Sequence, residues 1–131
     1  MRTDLTISNE KIDECALLKA RVLTAGMGAA VYFAGAVRGT EKGRGIEAID
    51  YEAFKSMAEH QFGLIFKQVE KRWPVESVRL AHRVGRVEVG EVSIWVEVVA
   101  PHRGEAFEAC QFIIAEMKRV VPIWKKPIPV L

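Results

Sequence analysis

Apolar residues recur every three or four positions in three stretches of this chain and alternate with polar ones in several others, a pattern of mixed helices and strands. From Asn9, the residues Ile12, Cys15, Leu18 and Val22 share one face of a predicted first helix, and Gly26 and Gly28 end that region. Ala29 to Val37 is rich in strand formers, and Ile46 to Ala53 alternates well enough to be its hairpin partner. Between them, Arg38 to Gly45 carries three glycines and four charges, which predicts a mobile hairpin loop. Ser56 and Glu59 have the spacing of a capping box, and Ala58, Phe62, Ile65, Val69 and Trp73 form the stripe of a second helix that Pro74 ends. Glu76 to His82 and Ser93 to Val99 read as strands, the latter with Val92, Ile94, Val96 and Val98 on one face and Ser93, Trp95 and Glu97 on the other. Arg86 to Glu91 reads as a short excursion with a turn at Gly90. After Pro101 a third helix carries Phe107, Cys110, Ile114, Met117 and Val121, and Pro122 stops it before a basic tail. Short connections between strands and helices between strand groups predict an α+β domain with a mostly antiparallel sheet.

Composition narrows the class. The 131 residues suffice for one domain, 1–131, without repeats or low-complexity linkers, and half of them are apolar, which excludes a disordered chain. Nineteen basic against seventeen acidic residues leave a net charge of +2, too little to argue for nucleic acid or an anionic membrane from bulk charge. Cys15 and Cys110 lack metal-site or CxxC spacing and are expected to be buried free thiols. The start has no apolar core of the signal-peptide kind, and the run Gly26 to Val37 is too short and glycine-rich to span a bilayer, so a cytoplasmic protein is the default expectation. There is no phosphate-binding GxxxxGK[ST], no GxSxG and no HExxH, and His60, His82 and His102 are too scattered to suggest a metal; no cofactor is expected. His82, beside Arg83 on a strand, reads as structural.

Three places could hold an anion. Residues 117 to 131 include Lys118, Arg119, Lys125 and Lys126 and no acid, although cations in the last turn of a helix also complement its dipole and the Lys125-Lys126 pair suits a solvated tail. His102-Arg103 sits at the start of the same helix, where cations oppose the dipole and an anion would be welcome. Arg38 ends a strand and opens the glycine-rich loop, a position for a phosphate or carboxylate clamp.

Taken in order, Phe33-Ala34-Gly35-Ala36-Val37-Arg38, Tyr51-Glu52, His82-Arg83-Val84-Gly85, Pro101-His102-Arg103-Gly104-Glu105-Ala106-Phe107-Glu108-Ala109, and Lys118 with Pro122-Ile123-Trp124-Lys125-Lys126 resemble the large, catalytic subunit of molybdopterin synthase. The likeness runs from about Gly28 to Lys126, and departs at Pro127, where the family commonly has an acidic residue. It implies an α/β-hammerhead fold and sulfur transfer in molybdenum cofactor biosynthesis. In that family a small ubiquitin-like sulfur-carrier subunit brings a C-terminal Gly-Gly thiocarboxylate into a basic pocket, and cyclic pyranopterin monophosphate receives two sulfurs to form the dithiolene of molybdopterin. By matching positions, Lys118 and Lys125 would be catalytic, while Ala36, Val37, Arg38, His102, Arg103 and Lys126 would bind substrate. A non-catalytic module of the same fold, holding a ubiquitin-like partner or a phosphorylated ligand, is the alternative. His102 and Lys118 lie 16 residues apart on one predicted helix, or about 24 Å at 1.5 Å per residue. One pocket using both therefore needs two copies of the chain, which implies a homodimer within a heterotetramer.

Overall fold

A computed structural model describes every residue from Met1 to Leu131. Two sheets share the work of positioning the site. The larger has the order β1 (Arg2–Ser8), β5 (Ser77–Arg83), β7 (Val92–Ala100), β2 (Ala29–Ala36); β1 runs parallel to β5 and the other pairs are antiparallel. The smaller is built on β4 (Arg44–Ala53), which pairs antiparallel with β3 (Thr40–Glu41), β6 (Gly85–Glu88) and β8 (Ile123–Pro129). Helices α2 (Lys55–Arg72) and α3 (Arg103–Val120) supply the main core with Phe62, Ile65, Val69, Ala106, Ala109 and Ile113, packed with Val78, Leu80, Val96 and Val98 of the larger sheet. Each fully buried Val, Leu, Ile or Phe side chain there contributes about 1.5–3 kcal/mol. A smaller cluster of Val37, Ile46, Ile49 and Val87, with Tyr51 against it, fills the second sheet.

The α+β class, the two long helices and the central strands agree with the sequence pattern; several local expectations do not. The first helix, α1, spans only Glu14–Lys19, capped by the Asp13 carboxylate accepting from the Ala16 N–H at 3.0 Å, and buries none of its residues. Cys15 is therefore exposed rather than buried, and an unforeseen strand, β1, precedes the helix. Ser56 forms no capping box: α2 begins at Lys55, so Ser56 lies inside the helix and Phe54 caps it without a side-chain bond. On α3 the buried stripe is Ala106, Ala109, Cys110, Ile113 and Met117, one position removed from the expected Phe107 and Ile114, and Phe107 is 61% exposed.

The largest correction concerns pairing. β2 joins β7, not β4, so the two strands flanking the glycine-rich segment belong to different sheets. That segment contains a hairpin of its own, in which Glu41 faces Arg44 across a two-residue turn with Lys42 at φ 51° and Gly43 at φ 77°. Positive φ at both central residues gives the I′ geometry that suits the strand twist. Residues 85–88, expected to be an excursion, form β6, and the expected tail forms β8, whose Lys125 and Lys126 lie opposite Tyr51 and Asp50.

β7 is buried on both faces. On the side away from α3, Trp95 lies beneath Tyr32, and Glu97, 1% exposed, accepts hydrogen bonds from Arg79 Nε at 2.7 Å, Arg79 Nη2 at 2.9 Å and Arg21 Nε at 2.6 Å. Arg79 also donates to the Leu17 carbonyl at 2.8 Å, tying α1 to the sheet.

The two thiols should differ in reactivity. Burial pushes Cys110 up to about 11, whereas Cys15 is open to solvent. A thiol reagent at neutral pH is expected to label one cysteine per native chain, Cys15, and two after unfolding; rapid native labelling of Cys110 would contradict this packing.

Candidate active site

A cleft of about 750 Å³ opens where the two sheets and the end of α3 meet. β2 and the two residues after it contribute Ala36, Val37 and Arg38, the last turn of α3 contributes Lys118, and β8 contributes Lys125. Elements distant in sequence thus bring three cationic side chains to one cavity. Its floor is apolar, with Phe33, Ile49, Ile94, Met117 and Ile123 among the lining residues.

Arg38 owes its place to a braced turn. Val37 donates to the Glu91 carbonyl at 3.0 Å and accepts from Gly90 N–H at 2.8 Å, so its backbone is bonded within the chain. Its side chain packs with Ile46, Ile49 and Val87 and backs the cleft from the second core. Glu91 in turn accepts from the Glu88 N–H at 2.9 Å and from Arg83 Nη1 at 3.4 Å, and meets Lys11 Nζ at 3.1 Å. The Glu88 amide, then Lys11 and Arg83, hold its carboxyl down at about 2. At Gly35 the register shifts, and a Cβ there would lie 2.8 Å from Ile94 Cγ2, so glycine lets β2 pass close over the cleft floor.

Sequence reasoning missed Glu41. Its Oε1 lies 2.8 Å from Lys125 Nζ, and the bond and charge of Lys125 hold the Glu41 carboxyl below its ordinary value. The sequence around Glu41 offers only a loop signal; the contact with Lys125 arises because both β3 and β8 pair with β4. Tyr51 and His82 also line the cleft, ring edge to ring face at 5.3 Å.

The remaining expected site residues lie elsewhere in a single chain. Lys126 does not line the cleft, since neighbouring strand residues project to opposite faces. His102 and Arg103 are exposed at the far end of α3, the full length of the helix from Lys118. There Glu105 Oε1 accepts the His102 N–H at 2.9 Å, so the helix start already holds an acid from its own chain.

No three His, Cys, Asp or Glu side chains converge as a metal site would need, and no helix is long and apolar enough to cross a membrane. Such an arrangement defines an α+β protein with a cation-rimmed cleft fit for small anionic ligands. Over residues 7–120 the chain matches the family model described as "MoaE protein", and it belongs to that family. It is 40% identical over 99 residues to a molybdopterin synthase catalytic subunit of Halalkalibacterium halodurans, covering 76% of this chain and 64% of that relative. A molybdopterin synthase catalytic subunit of Pyrococcus abyssi is 41% identical over 109 residues, covering 83% of this chain and 74% of that one. Among solved structures, molybdopterin synthase from Staphylococcus aureus superposes with a TM-score of 0.85 at 31% identity, covering 97% of this chain and 90% of that chain.

Proposed function

We propose that this chain is the catalytic subunit of a molybdopterin synthase, moving sulfur from the thiocarboxylated C-terminus of a small ubiquitin-like carrier subunit to cyclic pyranopterin monophosphate to form the molybdopterin dithiolene. The observation that carries this reading is the meeting of Arg38, Lys118 and Lys125 in one cleft of a MoaE-family fold. Both reactants are anions, one a cyclic phosphate and the other an extended tail ending in a thiocarboxylate. Arg38, with its planar fork of donors, suits the phosphate. Lys118 and Lys125 carry protons and positive charge to the reacting end, where opening of the cyclic phosphate and transfer of an anionic sulfur require both.

His102 and Arg103 enter this reading through a second copy. Their end of α3 is about 24 Å from Lys118, further than one small substrate reaches. A two-fold axis across α3 would bring the His102-Arg103 end of one protomer to the lysine end of its partner, twice, and one carrier subunit per cleft completes a heterotetramer.

Turnover of cyclic pyranopterin monophosphate by the chain with a thiocarboxylated carrier tests the function directly: dithiolene formation is expected, and tight binding without turnover would make the chain a binding module. Mixing His102→Ala with Lys118→Ala protein, each inactive alone, is expected to restore activity through heterodimers. Verified subunit exchange without recovery would remove the shared site.

A further inference from the structure

One buried ionisable side chain of the cleft has no part in the chemistry above. His82, on β5, is 6% exposed and lines the cavity together with Arg38, Lys118 and Lys125. Its Nδ1 stands 2.8 Å from the carbonyl oxygen of Arg83. A carbonyl can only accept, so Nδ1 carries the ring proton and Nε2 is left as a bare lone pair. The structure gives Nε2 no hydrogen-bond partner, and Nε2 is not among the side-chain atoms sealed away from solvent without one.

Most other polar side chains of the cleft are donors, or are charged or already bonded. Arg38, Lys118 and Lys125 are donors with no acceptor capacity. Glu41 is engaged by Lys125, and Ser93 Oγ donates to the Gly35 carbonyl at 3.3 Å. Tyr51 packs against the imidazole in a T-shaped pair, and its hydroxyl can donate as well as accept. His82 Nε2 is the neutral ring acceptor of the cavity, without the charge of the Glu41 carboxylate or the donor of the Tyr51 hydroxyl.

We infer that His82 is a specificity-determining and positioning residue, accepting through Nε2 a hydrogen bond from an N–H of the pterin ring system while the cations at the rim hold the phosphate. This inference rests on the function proposed above. A ligand with an anionic group at one end and a heterocyclic N–H at the other would be fixed at two points, and a simple phosphate would satisfy only one. Burial holds His82 below its ordinary value despite the opposing effect of the Arg83 carbonyl, so the imidazole stays neutral at neutral pH. Protonation would turn the acceptor into a donor and add a further cation beside Arg38, Lys118, Lys125 and the Lys125-paired Glu41, with Tyr51 in contact.

The test combines substitution with spectroscopy on the chain bound to its carrier subunit. Asparagine keeps a donor near the Nδ1 position but removes Nε2, whereas glutamine places an amide oxygen near Nε2. His82→Asn is expected to weaken cyclic pyranopterin monophosphate binding about tenfold and raise KM similarly with a smaller change in kcat, and His82→Gln to recover part of the loss; inorganic phosphate should bind all three proteins alike. Nitrogen NMR of labelled histidine should show the Nδ1–H tautomer, with the Nε2 resonance moving on pterin binding and not on phosphate binding. Pterin affinity unchanged in His82→Asn, or an Nε2–H tautomer, would overturn this role while leaving the synthase reading intact. Failure of the unaltered complex to bind the pterin would overturn that reading and this inference with it.

Discussion

Lys125→Ala is expected to reduce sulfur transfer by about 10²–10⁴-fold, the range for losing a positioned proton donor or charge stabiliser. The fold should survive. Although Lys125 belongs to a paired strand rather than a free tail, its side chain is 53% exposed, and its ion pair with Glu41 is of the solvent-screened kind that adds little to stability. Initial rates beside a melting curve make the measurement. Near-normal turnover would dismiss Lys125 from catalysis, whereas a collapsed melting temperature would assign its effect to structure. Glu41→Gln offers a control, because it leaves the amine in place and removes the carboxylate charge that holds it in the unliganded cleft.

Glu97→Ala is expected to be the most destabilising single change, costing about 3–5 kcal/mol and lowering the melting temperature by roughly 10–20 °C. Two guanidiniums would be left without their shared acceptor beneath β7. Arg21 and Arg79 keep 23% and 15% side-chain exposure, and that residual solvent places the expected cost toward the lower end. Burial alone would raise the Glu97 carboxyl, but the hydrogen bonds from Arg79 and Arg21 outweigh it and hold it below the ordinary 4.5. A depressed carboxyl stabilises the fold above its unfolded value and loses that contribution as pH falls through the folded one. Stability of the unaltered protein should therefore fall on acidification below about pH 4.5, with a shallower dependence in Glu97→Ala. Equal slopes would deny the carboxylate this role.

The sequence showed most clearly what periodicity controls. Strands β5 and β7 and helices α2 and α3 carry long apolar patterns, and their positions follow from them. β1 was hidden because Thr3, Asp4 and Thr6 interrupt it, and its partner lies far along the chain. β8 was hidden by Pro127, Pro129 and two lysines, residues that read as tail; it pairs with β4 on one side only, where proline is tolerated. Between Arg38 and Gly45 the turn signal was sound, but turn chemistry cannot say which strands lie beside it, and the β2–β4 pairing failed for that reason. Arg38, Lys118 and Lys125 were legible as unbalanced cations and through their matching motif. Glu41 and His82 were not, because their significance comes from tertiary neighbours: a lysine 84 positions along the chain for one, and a locked ring nitrogen for the other.

The parallel pairing of β1 with β5 has a kinetic consequence. Arg2 lies opposite Ser77, so residues 75 positions apart must meet before this edge of the larger sheet exists. β2 likewise waits for β7, with Ala29 opposite Ala100. Closing such loops costs entropy before any strand contact repays it, which places the protein among slow, non-local folders on the millisecond-to-second scale. Helices α2 and α3 can form from local contacts well within that time. The cleft, whose walls come from β2, β4, β5, α3 and β8, is thus a late product of folding, and a chain with its full helical content can still lack a binding site.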